Sequence, residues 1–222
     1  MRQISRLSVI AVSTALLITL SSCSSTQSTP EADDQPSTPT ENRETVTSGQ
    51  ISDVPENNNA SGDSPQGSVT DAANFEITEN EDGTVTISRY IGTETDIVIP
   101  SQIGGKTVSA IGNVTGTTGA FEGCTSITAV VIPDGVTEIQ DNAFYGCTSL
   151  ETVTIPSGVT LLRNCAFCDC PNLRAVYFKG DAPQQANYVF DSTENVTMYY
   201  QDGTSGWENP WHGRPAEVYI PE

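Results

Sequence analysis

The chain has 222 residues, with 28 acidic side chains against nine basic ones and a formal charge of −19. That sign excludes a nucleic-acid partner, which takes clustered lysine and arginine on one face. It also disfavours direct contact with an anionic membrane surface.

Arg2 and Arg6 precede an apolar stretch at 9–20, shorter than the roughly 20 residues that cross a bilayer. The stretch ends in Leu20-Ser21-Ser22-Cys23, so residues 1–23 are predicted to be an export signal. Its end resembles the lipobox of bacterial lipoproteins. The resemblance implies that Cys23 is lipidated and becomes the first residue of the mature chain. Two or more acyl chains would hold the protein stably on the cell membrane, facing the envelope or the exterior.

Residues 24–73 are Ser, Thr, Pro, Asn, Gln, Glu and Asp almost throughout, with too few apolar positions to bury a core. They are predicted to be an acidic, disordered tether that holds a folded part clear of the membrane. That folded part is expected at 74–222. Within it, Phe-Glu-Ile-Thr from Phe75 and Thr-Val-Thr-Ile from Thr84 flank Glu81-Asp82-Gly83, a hairpin signal that predicts an N-terminal cap over 74–96. The acids of this stretch (Glu76, Glu79, Glu81, Asp82, Glu94, Asp96) lack a calcium-loop spacing and read as solvated turns and edges.

Repeats follow over 97–180. Gly-Ala-Phe-Glu-Gly-Cys-Thr-Ser-Ile-Thr-Ala-Val-Val-Ile-Pro begins at Gly119, and close variants begin at Asn142 and Cys165, at a constant interval. Ile97, Ile99, Val108 and Ile111 fit an earlier, stretched copy. Such a fixed period predicts a solenoid in which each repeat stacks on the next. The apolar sets Ile127/Val130/Ile132, Leu150/Val153/Ile155 and Leu173/Val176/Phe178 predict one short strand per repeat. Pro133 and Pro156 end two of these strands, and Val136/Ile139 and Val159/Leu162 form a second extended run. Asp141 to Gly146 reads as a single helical turn, capped by Asp141, that points Phe144 into a ladder with Phe121 and Phe167.

The phrase from Asp141 to Val159, Asp-Asn-Ala-Phe-Tyr-Gly-Cys-Thr-Ser-Leu-Glu-Thr-Val-Thr-Ile-Pro-Ser-Gly-Val, resembles the repeat of the BspA-type leucine-rich repeat family. The resemblance spans 75 to about 180. It implies an α/β leucine-rich-repeat solenoid: strand-rich, a short parallel sheet, single helical turns, a hairpin cap at one end and an aromatic cap at the other. For function it implies surface adhesion or host-protein binding. At 181–222, Val-Thr-Met-Tyr-Tyr from Val196 gives a last strand, and Trp207 and Trp211 supply the terminal cap.

Chemistry finds little to work with. His212 is the one histidine, inside the predicted cap, and no Gly-x-Ser-x-Gly, His-Glu-x-x-His or phosphate-loop pattern occurs. No enzymatic activity, cofactor or metal is expected. Cys124, Cys147 and Cys170 recur at the repeat period and read as small core residues. Cys165-x-x-Cys168-x-Cys170 admits buried thiols, one disulfide or a metal site, and the spacing favours them in that order because a fourth zinc ligand is missing nearby.

The expected function is therefore binding. The outward strand positions are Asp96, Val98, Ala129, Val131, Thr152, Thr154, Ala175 and Tyr177, with Val98, Val131, Thr154 and Tyr177 in one row. They are the candidate contacts for a protein or glycan ligand. The alternative is a non-catalytic docking or accessory subunit of an envelope complex.

Overall fold

The computed structural model describes residues 67–112, 118–185 and 188–220. The predicted signal, Cys23 and residues 24–66 of the predicted tether lie outside the described residues.

The folded part starts earlier than the sequence suggests. Residues 67–73 were expected to belong to the tether, yet Thr70 is buried. Its N–H donates to the Val98 carbonyl at 2.9 Å and its hydroxyl accepts from the Val98 N–H at 3.1 Å. An edge strand exposes a row of unpaired backbone groups, and Thr70 satisfies two of them. Asp71 then caps a short 3-10 turn, Ala72–Asn74, by accepting from the Ala73 N–H at 2.9 Å.

The predicted hairpin forms from β1 (Phe75–Glu79) and β2 (Val85–Tyr90). Two parallel stacks grow from there, joined by the chain as it winds. The first-sheet strands are β3 (Asp96–Val98), β6 (Ala129–Val131), β8 (Thr152–Ile155), β10 (Ala175–Phe178), β12 (Thr197–Gln201) and β13 (Ala216–Tyr219), each paired in parallel with the next. The second sheet begins with β1 and β2 and continues through β5 (Lys106–Ile111), β7 (Glu138–Ile139), β9 (Leu161–Leu162) and β11 (Gln184–Gln185). The short β4 (Gln102–Ile103) folds back on β5. The second extended run expected after each proline thus becomes a sheet of its own, although only two residues per coil pair in β7, β9 and β11.

The predicted helical turns are tight hydrogen-bonded turns instead. Tyr145 N–H donates to the Asn142 carbonyl at 3.0 Å. Asn142 (φ 57°) and Gly146 (φ 68°) are both left-handed. Only three residues lie between them, fewer than the 3.6 of one α-helical turn. The same two left-handed positions recur one coil later at Cys165 (φ 50°) and Asp169 (φ 53°), and again at Tyr188 (φ 64°) and Ser192 (φ 53°). Asp141 does not cap its own turn. Its carboxylate accepts from the Asn164 N–H at 3.0 Å, one coil on.

The aromatic ladder is longer than expected. Tyr90, Phe121, Phe144, Phe167 and Phe190 stack in sequence, with centroids between 4.8 and 5.5 Å apart. Tyr90 closes the hairpin end, where its hydroxyl donates to Glu94 Oε2 at 2.5 Å. Phe190 continues the even spacing of Phe121, Phe144 and Phe167, so 188–196 completes a further coil that the sequence assigns to the cap. At the far end Trp207 lies against Phe178 (4.8 Å) and stacks on Tyr200 (4.9 Å), while Trp211 is buried beside Trp207. The predicted aromatic cap is formed by these rings.

Candidate binding face

Sheet pairing sets the outward rows of the first sheet. One runs Val98, Val131, Thr154, Tyr177, Tyr199 and Glu217 across six strands. The other runs Asp96, Ala129, Thr152, Ala175 and Thr197. The structure therefore brings together all the residues singled out from sequence, in the expected register.

Exposure along these rows differs from simple alternation. Val98, Val131, Thr152 and Tyr177 are half-buried and Asp96 is exposed. Thr154, expected to face solvent, is only 5% exposed, and Ala175 is buried as well. Thr154 still points outward, but it sits between Val131 and Tyr177. Neighbouring strands lie about 4.7–4.9 Å apart, so the Tyr177 ring on the next strand is within reach of the threonine, while Val131 on the other side matches it in size. Thr154 is thus a nearly covered position on this face rather than an exposed one.

Two tyrosines extend the face beyond what the sequence reading included. Tyr177 stacks on Tyr199, with centroids 5.2 Å apart and planes 20° from parallel. Tyr219 meets Tyr177 edge-on at 5.3 Å and 77°. Gln201 Nε2 donates to the Tyr219 hydroxyl at 3.4 Å, which ties the third ring to β12. Burial, and then the neighbouring Tyr199 and Tyr219, push the Tyr177 hydroxyl above its ordinary range. The hydroxyl stays protonated at neutral pH and remains a hydrogen-bond donor. At the opposite end Asp96 accepts from the Thr128 hydroxyl at 2.6 Å. The face thus grades from an acidic, hydroxyl-rich edge to an aromatic patch.

The remaining sequence candidates are accounted for by the fold. Cys165 and Cys168 are joined as a disulfide, where the sequence favoured thiols; their Cα atoms are 4.6 Å apart, within bridging distance. Cys147 and Cys170 are buried free thiols, as the repeat period suggested, whereas Cys124 of the same column is buried but disulfide-bonded. The Cys147 and Cys170 thiols donate to the carbonyls of Phe121 and Phe144, both at 3.1 Å. In the coil that the sequence reading missed, Thr193 takes the cysteine place and donates to the Phe167 carbonyl at 2.7 Å. His212 is exposed on the cap, edge-on to Trp211, rather than packed beneath it. Among the described residues no group of three or more His, Cys, Asp and Glu converges on a point. Besides Asp96, three more of the acids at 76–96 are engaged: Glu79 pairs with Lys106 at 2.5 Å, Asp82 accepts from Thr84, and Glu94 accepts from Asn74 at 2.7 Å.

Among the described residues no helix is long and apolar enough to cross a membrane. Residues 115–204 match the BspA type leucine-rich repeat region, in six copies. No curated protein matches the chain. Among solved structures, a T. pallidum leucine-rich repeat protein is 23% identical, with a TM-score of 0.50 over 70% of this chain and 84% of its own, a likeness that shows the fold. A leucine-rich cell surface protein from Faecalibacterium prausnitzii is 31% identical at a TM-score of 0.50. That match covers 72% of this chain and 44% of the other, so this chain spans less than half of that protein's length. Period, sheet register and likeness agree: the coils within residues 115–204 are leucine-rich repeats of the BspA type.

Proposed function

We propose that this is a non-catalytic cell-surface binding protein, lipid-anchored through Cys23, that presents the outward face of its first sheet to a protein or glycan ligand. The observation that carries the reading is the tyrosine patch. Tyr177, Tyr199 and Tyr219 form a contiguous set of half-buried rings on a sheet face, separated from Val131 by Thr154. Tyrosine supplies large contact area at low entropic cost and is enriched where partners dock. The likeness to a Faecalibacterium cell surface protein supports a surface location. An acidic stretch between Cys23 and Thr70 would set the face away from the membrane.

The test is a binding screen of the full chain against matrix proteins, mucins and polysaccharides, followed by Tyr177→Ala and Tyr199→Ala. A ligand bound by the wild type and released at least about tenfold faster by both variants supports the reading, since interface changes act mostly on dissociation. A clean negative across the screen, or binding indifferent to both substitutions, removes it.

A further inference from the structure

A second feature lies apart from the sheet face. At the C-terminal end of the stack a cleft of about 260 Å³ is lined by Gln185, Tyr188, Val189, Phe190, Asp191, His212 and Arg214. Its floor is the core itself, because Val189 and Phe190 are buried. One wall is a tight turn. Trp211 and Arg214 exchange both backbone hydrogen bonds, at 2.8 and 3.0 Å, and the two residues between them are left-handed (His212 φ 46°, Gly213 φ 80°). That is the geometry of a type I′ turn. Trp211 is 4% exposed and anchors the turn in the cap, so His212 and Arg214 stand on a fixed support.

The polar groups here are poised rather than spent. Arg214 Nη2 donates to the Phe190 carbonyl at 2.8 Å, which fixes the guanidinium at the cleft. An arginine carries five N–H donors in a rigid fork suited to carboxylates. Among the described residues, none of the others has a protein acceptor, and no carboxylate, Asp191 included, lies within ion-pairing distance. Tyr188, which also lines the cleft, is 72% exposed. The repeat fixes its left-handed backbone, since Asn142 and Cys165 hold the same place in earlier coils, but nothing in the packing requires a large ring there.

We propose that this cleft binds a single carboxylate-bearing sugar unit, with Arg214 and His212 facing the carboxylate, Tyr188 under the sugar ring, and Asp191 and Gln185 accepting from its hydroxyls. The mixture selects the ligand class. A bare inorganic anion would leave the Tyr188 ring unused. A purely apolar ligand would leave four polar side chains without partners, at a cost for each. The cavity is below the roughly 300–1,000 Å³ of sites that enclose drug-sized molecules, which fits one polar unit at the end of a longer chain. Against a chain charge of −19, an anionic group approaches best where a fixed cation is presented, and here the Arg214 guanidinium lines the cleft with the His212 imidazole, whose ring N–H is a further donor.

The test uses the full chain and four probes: galacturonate, galactose, lactate and an N-acetylated dipeptide with a free C-terminus. Binding is followed by saturation-transfer NMR with titration. Galacturonate should bind in the millimolar range expected for one small unit, galactose and lactate each at least about tenfold more weakly. Arg214→Gln should abolish the preference for galacturonate over galactose, and Tyr188→Ala should weaken both sugars. Tyr188 is exposed, so the second variant keeps the fold if the first disturbs the Phe190 contact; thermal melts check both. Tyr177→Ala, on the sheet face, should leave galacturonate binding unchanged, which separates this site from the binding face. Equal affinity for galactose and galacturonate, no binding of galacturonate, or indifference to Tyr188→Ala overturns the proposal. So does a dipeptide that binds as tightly as galacturonate.

Discussion

The thiol of Cys170 donates to the carbonyl of Phe144, 3.1 Å away in the preceding coil. Thr193 makes the same bond to Phe167 with a hydroxyl. At Cys147, Cys170 and Thr193 the column thus uses a small side chain as a donor to a carbonyl of the preceding coil. Cys170→Ala would leave the Phe144 carbonyl only the Cys147 N–H at 3.3 Å and would remove the packing of a buried sulfur, together a loss of about 1–3 kcal/mol. Cys170→Thr should stay within about 1 kcal/mol of the wild type, because the hydroxyl replaces the donor. Urea melts of the two variants decide; equal losses would mean that packing volume alone matters.

The same thiols give a pH dependence. Burial pushes the Cys170 thiol up to about 12, and Cys147 well above its ordinary value of 9.0. The folded state therefore holds these protons more tightly than the unfolded chain. Their contribution to stability is complete below pH 9 and declines as pH rises from there towards 12. Native protein at pH 8.5 should resist iodoacetamide at both positions and react once unfolded in urea. Rapid native labelling at that pH would show the sites to be open.

Phe144 lies mid-ladder between Phe121 and Phe167 at 4.8 and 5.1 Å. Phe144→Ala should cost roughly 3–5 kcal/mol and unfold neighbouring coils with it. Thr154→Ala should cost about 1 kcal/mol, near the value of one buried methyl group, because Val131 and Tyr177 shield it. A loss below about 0.3 kcal/mol would place Thr154 back among ordinary surface sites.

A Cβ at Gly119 would lie 1.7 Å from the Asn142 carbonyl oxygen and 2.3 Å from its carbon. Both are backbone atoms of the next coil and have no rotamer by which to move aside. Gly119→Ala should destabilise by about 4 kcal/mol or more, read as a lowered midpoint in a thermal melt. A midpoint within a few degrees of wild type would refute the close approach.

Cys23→Ala should move the protein from the membrane fraction to the soluble fraction and leave the melting curve of the folded part unchanged. The motive is the lipobox-like Leu20-Ser21-Ser22-Cys23, which stands far ahead of Thr70 in the chain. Retention on membranes after a high-salt wash would sink the anchor.

Much of the fold is written in local repetition. Phe121, Phe144 and Phe167 recur with their cysteines at one period, so stacking, register and the row from Val98 to Tyr177 follow by alignment. What escapes alignment is where the pattern changes its letters. In the last coil Ser192 and Thr193 replace Asp169 and Cys170. There β12 pairs Met198 with Val176, a shorter step along the chain than the one that joins Val176 to Val153. A reader counting cysteines stops one coil short; extending the Phe column to Phe190 would have found it. Thr154 shows a different limit. Its burial depends on what stands beside it on adjacent strands, the large Tyr177 ring above all, which its own alternation does not record. The cleft at Arg214 joins residues from 185 to 214 through a turn whose direction only the folded cap defines.

The ring ladder has one more consequence. Its spacing, 4.8 to 5.5 Å, is close to the roughly 4.7–4.9 Å between neighbouring strands. Side chains and backbone thus advance by nearly the same step per turn of the chain. A tandem duplication of a single repeat would add one strand to each sheet and one ring to the ladder, with both caps left as they are. Reach and contact area are then set by how many times a short stretch of gene is copied, independently of what either end recognises.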